Sequence, residues 1–150
     1  MKIFNRTMLV FALVGSMSMA LVQTVGASVA FKGRGNGQIT SVQPGPTGVA
    51  MSGVATGQAT QLGEYTRTEN ILLNPADGTF TGDVTFTAAN GDQLTADIAG
   101  AFTSAATASG SYTFTGGTGR FANASGTALF SIVLTDASHF TVAFNGSMDQ

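Results

Sequence analysis

The sequence predicts an all-β protein: a single antiparallel β-barrel of about eight strands with meander connections, preceded by a cleaved signal peptide. Two observations support this prediction. Apolar and polar residues alternate along several segments, and 20 of the 150 residues are glycine in a chain that is also rich in threonine. Alternation with period two is typical of half-buried antiparallel strands. Abundant glycine and threonine disfavour long helices and favour short strands joined by tight turns.

The N-terminal region has the pattern of a secretory signal peptide. Lys2 and Arg6 give a positive start, an apolar run covers residues 8–22, and small residues suited to cleavage follow at Ala27 and Ala30. The apolar run is shorter than the ~20 residues that a membrane-spanning helix needs. We therefore expect cleavage after Ala27 or Ala30 and a secreted or periplasmic protein, with a retained membrane anchor as the alternative.

Residues 1–27 are thus assigned to the signal peptide and residues 28–150 to one barrel domain. Charged residues make up 9% of the chain, against a usual ~25%, and they form no basic patch. Nucleic-acid binding is therefore not expected, nor is membrane association after signal cleavage. Without cysteine there is neither a disulfide framework nor a thiolate metal site, so the domain depends on its core alone.

No assembled catalytic or metal-binding set can be recognised. His139 is the only histidine, and we expect it on the solvated surface. The carboxylates are dispersed and lack the spacing of a calcium-binding loop. We therefore predict no catalytic residue, no metal and no cofactor.

The first half of the barrel domain is the less regular half. Residues 31–42 are predicted to hold one or two strands, interrupted by the glycine-rich residues 33–37. The Pro-Gly-Pro sequence at 44–46 ends that region. The pattern predicts two further strands, one at residues 49–56 and one at residues 62–73.

From Thr79 onward the alternation is clear. The apolar positions of the successive segments are Phe80, Val84, Phe86 and Ala88; Leu94, Ala96, Ile98 and Phe102; Tyr112 and Phe114; Ala128, Phe130, Ile132 and Leu134; and Phe140, Val142 and Phe144. The total is seven to nine strands joined by short turns. Closure into a barrel is favoured over a sandwich because it removes exposed strand edges, which a weakly charged protein protects poorly.

The first of these turns fixes a strand register. A two-residue Asn-Gly turn would place apolar residues opposite polar ones, which the alternation rejects. A three-residue loop at 89–91 with Gly91 in the left-handed region pairs Phe86 with Leu94 instead. This register also sets Phe80 opposite Gly100, where an aromatic ring can cover a bare glycine.

The same register creates one unfavourable contact. Asp83 lies directly opposite Asp97, and like charges in a cross-strand pair are destabilising. A β-bulge that separates the two side chains is the arrangement we expect. A cation shared by the two carboxylates is the alternative.

The glycine-rich segment at residues 115–122, TGGTGRFA, invites a comparison with dinucleotide-binding loops. Such a loop lies between a buried parallel strand and a long helix. Here the preceding residues 111–115 alternate, and the next strand begins near Thr127, which leaves room for one helical turn at most. The nucleotide interpretation fails, and the segment is predicted to be a tight corner between two strands.

This corner resembles that of the allene oxide cyclase and dirigent superfamily of calycin-like, eight-stranded barrels, with the pattern Gly-Gly-Thr-Gly-x-Phe-x-x-Ala-x-Gly. Residues 116–126, GGTGRFANASG, match it throughout. Residues 59–66, ATQLGEYT, are similar to a second stretch found in exported bacterial relatives, with Gln61 in place of a histidine. The resemblance implies an exported bacterial barrel whose structural corner is formed by Gly116, Gly117, Gly119, Phe121 and Gly126.

One strand combines polar and apolar residues on the same face. Tyr65, Arg67 and Glu69 share the parity of Ile71, so an inward Ile71 brings all three towards the lumen. A buried Arg–Glu pair with a phenol could anchor the polar end of an otherwise apolar ligand. The more common arrangement is an ion pair at the rim or on the outer surface, which contributes little to stability.

These observations predict an exported, non-catalytic barrel that binds a small apolar or amphiphilic molecule in its lumen, at Tyr65, Arg67 and Glu69, or acts structurally outside the cytoplasm. The resemblance implies a first alternative, a cyclase, isomerase or dirigent-like enzyme acting on an apolar substrate in the barrel. A second alternative is a surface or matrix protein that self-associates through its threonine-rich exterior. The sequence leaves ligand identity and oligomeric state open.

Overall fold

Eight antiparallel strands close into a barrel in the computed structural model, which describes residues 28–150. Each strand pairs with the next along the chain, and the last pairs with the first. The strands are β1 (Val29–Gly45), β2 (Gly48–Ala59), β3 (Gly63–Leu73), β4 (Thr79–Thr87), β5 (Gln93–Phe102), β6 (Thr107–Gly117), β7 (Ser125–Leu134) and β8 (His139–Asp149). The predicted fold class and meander order are confirmed.

The predicted signal peptide, residues 1–27, lies outside the described residues. Across residues 28–150, the structure contains no helix of the length and apolarity that a bilayer crossing requires.

The register predicted for the β4–β5 hairpin is also confirmed. Phe86 pairs with Leu94 and Phe80 with Gly100, and Gly91 has a φ of 92° in the turn. A Cβ atom added to Gly100 would lie 2.8 Å from Cζ of Phe80. The ring therefore rests directly on the glycine backbone, as the sequence pattern suggested.

The β-bulge expected between Asp83 and Asp97 is not present, and that prediction is wrong. The two residues are direct cross-strand partners in an unbroken register. Both side chains are exposed on the outer face of the barrel, where water and salt screen their repulsion. Keeping the ladder hydrogen bonds is therefore favoured over separating two solvated charges.

Strand β1 runs without interruption through the glycine-rich residues 33–37. These glycines face the lumen and accommodate side chains from other strands. A Cβ atom on Gly35 would lie 2.5 Å from the Tyr65 hydroxyl, and one on Gly37 would collide with the ring of Phe140. The glycines thus allow rings to pack against the backbone, and the strand does not break there.

Aromatic rings fill much of the lumen. The ring of Phe31 lies 4.8 Å from Phe114, 5.1 Å from Phe144 and 5.7 Å from Phe86, measured between centroids. Tyr112 stacks on Phe130 at 4.8 Å and contacts Phe86 and Phe144 edge-on. The inward residues of the alternating strands therefore share a single core.

The two ends of the barrel differ. We call the end that carries the β2–β3, β4–β5 and β6–β7 connections the closed end, where Leu62, Phe121 and Met148 are almost completely buried beneath the turns. The opposite end, with the other four connections, is called the open end. There five of the lumen-facing side chains are only half-buried: Ile39, Ile71, Phe102, Ile132 and Leu134.

Candidate functional site

The lumen opens to solvent through a shallow apolar pocket at the open end, here called the mouth pocket. It is lined by Ile39, Glu69, Ile71, Phe80, Phe102 and Phe140, together with the aliphatic side chains between them. Its cavity volume is about 40 Å³, whereas a buried apolar cavity that binds benzene measures ~150 Å³. The mouth therefore has room for only part of a small molecule, and the packed aromatic core has none.

Strand β3 places a buried ion pair beneath this pocket. Arg67 has no exposed side-chain area, and its Nη2 donates a hydrogen bond to Oε2 of Glu69. Its Nη1 donates to the hydroxyl of Tyr112 at 2.6 Å, and its guanidinium carbon lies 5.6 Å from the ring centre of Phe86. The pair belongs to the interior, so the more common rim or outer-surface arrangement does not apply here.

Burial controls the protonation of this group of side chains. Desolvation raises the pKa of Tyr65 to about 12, although the charge of Arg67 opposes the shift. Desolvation likewise raises the pKa of Tyr112. For Arg67, burial alone would lower the pKa, but the adjacent Tyr112 and Glu69 oxygens raise it overall. The interior therefore holds a charged guanidinium beside two neutral phenols.

Glu69 is positioned by its own strand, β3, and by the neighbouring strand β2. Alternation along β3 points it inwards with Arg67, and its partner across the β2–β3 ladder is Gly53. A Cβ atom on Gly53 would lie 2.9 Å from Oε1 of Glu69. The absence of a side chain there gives the carboxylate room to lie along the lumen wall.

The three predicted ligand-binding residues therefore occupy three depths. Glu69 lines the mouth pocket with 11% of its side chain exposed. Arg67 lies behind it, and Tyr65 is deeper still, with 2% exposure. Within residues 28–150, the Tyr65 hydroxyl and Arg67 Nε have no hydrogen-bond partner. Glu69 is the member of the set that a ligand at the mouth can touch.

Tyr112 is the polar partner that the sequence reasoning did not identify. It is 45 positions from Arg67 along the chain, and its apolar-face position suggested a core ring rather than a hydrogen-bond acceptor. Its inward parity was visible in the sequence, and so was that of Arg67. Which inward residues meet across the lumen depends on strand stagger, which alternation does not reveal.

The glycine corner lies at the closed end, opposite the mouth pocket. Gly116 and Gly126 have positive φ values, Gly117 ends β6, and Phe121 is fully buried. Gly119 has a φ of 56°, and a Cβ atom there would collide with the carboxylate of Asp92. A short 3-10 helix covers Gly119–Phe121. These residues shape and seal the barrel and do not reach the mouth pocket.

Arg120 ties this corner to the neighbouring turn. Its Nη2 donates to the carbonyl oxygen of Gln61, and its guanidinium carbon lies 4.7 Å from the ring centre of Phe121. Gln61 has a φ of 68°, a backbone conformation that non-glycine residues rarely adopt. The contact fixes the β2–β3 turn over the closed end.

His139 lies at the open end and is largely solvent-exposed. Its Nδ1 is 2.9 Å from Oδ1 of Asp136. In the part of the chain that the structure describes, no group of three or more histidine and acidic side chains is arranged to hold a metal ion. The sequence expectation of a surface histidine agrees with this placement.

No family model and no curated protein matches the chain. Among solved structures, the chain is similar to the structure of the pterocarpan synthase dirigent protein GePTS1, with a TM-score of 0.61 and 14% sequence identity. The similarity covers 89% of this chain and 94% of the dirigent chain. The chain therefore has a dirigent-like barrel fold.

Proposed function

We propose that the protein is an exported, non-catalytic barrel that binds a small amphiphilic molecule at the mouth pocket. The observation that carries this proposal is the contrast within one lumen. Aromatic rings pack it over most of its depth, yet apolar side chains and one reachable carboxylate remain open to solvent at its mouth. Apolar walls with few convergent polar groups are typical of small-molecule sites.

Contacts at the start of β1 favour signal cleavage after Ala27 over cleavage after Ala30. Val29 pairs with Met148, and the carbonyl oxygen of Ala30 accepts a hydrogen bond from Thr60 Oγ1 at 2.8 Å. Cleavage after Ala30 would remove these contacts, whereas cleavage after Ala27 leaves β1 complete. N-terminal sequencing of the protein from a secreting host tests this, because a chain that begins at Met1 contradicts signal cleavage.

Binding can be tested with three octyl probes that differ only in their polar end: octan-1-ol, octylammonium and octanoate. We expect at least one of them to shift the methyl NMR signals of Ile39, Ile71 and Leu134, which face the mouth. Ala108→Leu tests whether the probe binds in the pocket, and Ala99→Leu is its matched control. Ala108 lines the pocket and Ala99 is exposed outside the barrel, so only the first should weaken binding.

Failure of all three probes to shift the mouth methyl groups would refute the proposed function. Equal weakening by Ala108→Leu and Ala99→Leu would place binding outside the mouth pocket and would refute it as well.

An enzyme is the second candidate, because the buried Arg67–Glu69 pair lies in a fold that is shared with a protein described as a pterocarpan synthase. Such an enzyme would convert a bound substrate, and Glu69→Gln would abolish turnover while leaving binding measurable. Mass spectrometry of mixed phenolic and epoxide compounds incubated with the protein separates the two candidates. Recovery of every compound unchanged supports the non-catalytic role.

A further inference from the structure

The polar groups of the mouth pocket can accept hydrogen bonds but not donate them. Oε1 of Glu69 accepts no hydrogen bond from residues 28–150, since the arginine contact uses Oε2. Arg67 is fully buried, and its Nη1 and Nη2 already donate to Tyr112 and Glu69. Ser52 also lines the pocket, but it donates its hydroxyl proton to Asn70 Oδ1 on the outer face of β3. A carboxylate ligand would therefore meet another carboxylate and no donor within reach, because the unused N–H groups of Arg67, Nε among them, are buried behind Glu69.

Aromatic rings line the same pocket as this carboxylate. Phe80, Phe102 and Phe140 line the pocket with Glu69, and the rings of Phe80 and Phe102 lie 5.8 Å apart with an edge-to-face geometry. The faces of such rings attract cations through their quadrupoles. An acceptor carboxylate beside several phenylalanine rings is therefore a favourable environment for an ammonium group.

Formal charges at the open end point to the same ligand class. The loops there carry Asp77, which accepts hydrogen bonds from Thr79, and Asp136. Of the lysines and arginines within 28–150, Lys32 and Arg120 lie towards the closed end, Arg34 is exposed on the barrel wall, and Arg67 is buried against Glu69. Since Arg67 offsets the charge of Glu69, Asp77 and Asp136 leave the open end with an excess of negative formal charge, which draws cations towards it and repels anions.

From these observations we propose that the polar end of the ligand is a protonated amine that donates a hydrogen bond to Oε1 of Glu69, with its alkyl part against the mouth phenylalanines. This inference rests on the proposed function and narrows it to amine-bearing amphiphiles. Fatty acids are excluded, even though an arginine lies in the lumen, because that arginine is out of reach.

Isothermal titration of the full chain with the three octyl probes, at neutral pH and low ionic strength, tests the inference. Octylammonium should bind at least about tenfold more tightly than octan-1-ol or octanoate, since a charge-assisted hydrogen bond contributes more than a neutral one. Added salt should weaken octylammonium binding more than octan-1-ol binding.

Three variants locate the effect. Glu69→Gln keeps the size of the side chain and removes its charge, so it should weaken octylammonium about tenfold and change octan-1-ol little. Glu64→Gln makes the same change on the exposed outer face of β3 and should leave both affinities unchanged. Asp136→Asn retains the turn hydrogen bonds and should weaken octylammonium by about twofold at low salt.

The outcomes separate the inference from the function on which it rests. Octan-1-ol or octanoate binding as tightly as octylammonium would overturn the amine preference and leave the mouth-pocket function intact. Octylammonium binding that survives Glu69→Gln, or falls equally in Glu64→Gln, would overturn it too. Absence of binding by every probe would overturn both.

Discussion

The same eight strands form a sealed barrel end and an open one, and the difference lies in what covers the lumen-facing side chains. At the closed end, Phe31 and Phe121 are completely buried beneath turns that are tied together by Arg120. At the open end, Phe102 and Leu134 face the same lumen but stay half-buried. The closed end therefore contributes more to stability, and the open end leaves apolar surface accessible, which is where we propose that a ligand binds.

The difference between the two ends also explains the position of the Glu69 carboxylate. Glu69 stands at the boundary between the two regions and lines the pocket, with Oε2 held by the buried Arg67 and Oε1 without a hydrogen-bond partner among residues 28–150. A carboxylate placed deeper would lose its water, and one placed further out would lose its arginine. The boundary position keeps it both paired and reachable.

The largest expected effect on stability comes from replacing phenylalanine with alanine, which we compare at the closed end and at the open end. Phe31→Ala removes a fully buried ring that contacts Phe86, Phe114 and Phe144, and it should lower the free energy of unfolding by about 3–5 kcal/mol. Phe102→Ala removes the same atoms from a half-exposed site and should cost about 1 kcal/mol. Urea denaturation of both variants measures the difference, and equal losses would contradict the distinction between the ends.

The second prediction concerns the ion pair at the boundary. Glu69→Leu leaves the buried Arg67 without its carboxylate and should cost about 3 kcal/mol of unfolding free energy. Replacing the whole group, with Arg67→Met, Glu69→Leu and Tyr112→Phe together, should restore much of that loss because no polar atom of the set is left unpaired. A triple variant less stable than Glu69→Leu alone would show that the pair contributes net stability.

The third prediction tests whether water is excluded from the two tyrosines in the aromatic core. The chain has two tyrosines and no tryptophan, and burial raises the pKa of Tyr65 to about 12 and also raises that of Tyr112. Unfolded phenols ionise near pH ~10, so below pH ~10 the buried phenols make their full contribution to stability. That contribution falls as the pH rises from about 10 through about 12, because the unfolded chain loses its protons first.

Tyrosinate absorbance during an alkaline titration follows this directly. We expect little signal near pH ~10 and a joint rise with unfolding at higher pH. Half-ionisation of both phenols near pH ~10, in protein that is still folded by circular dichroism, would contradict their burial.

The smallest predicted effect lies on the outer wall, away from both ends. Asp97→Asn removes the like-charge pair with Asp83 and should raise the free energy of unfolding by about 0.2–1 kcal/mol at low salt. Asp83→Asn should give the same gain, and the double variant should add little. An unchanged midpoint of urea denaturation in both single variants would mean that the repulsion is already screened by water.

The barrel itself could be predicted because its information is local. Alternation in β4 and β5, together with the glycine of their turn, was sufficient to pair Phe86 with Leu94. Alternation could not predict that β1 is continuous, because the glycines at 33–37 suggest an interruption of the strand. These glycines make room for the side chains of Tyr65 and Phe140, which come from other strands.

The candidate site could be predicted only in part. Shared parity placed Tyr65, Arg67 and Glu69 on the lumen side, but their depths depend on strand stagger and on which end the turns cover. The contact between Arg67 and Tyr112 crosses the lumen, so neither neighbouring residues nor period-two patterns encode it. The absence of a bulge at Asp83 likewise depends on how exposed its side chain is. Alternation in the sequence predicts whether a side chain points into or out of the barrel, but not how much of it water reaches.

A crystal structure of the protein with octylammonium would show directly where the amine binds. We expect the ammonium nitrogen about 2.8 Å from Oε1 of Glu69, the alkyl chain against Phe80, Phe102 and Phe140, and unchanged packing around Phe31. Density for the probe on the outer wall, or among displaced rings at the closed end with an empty mouth, would contradict it.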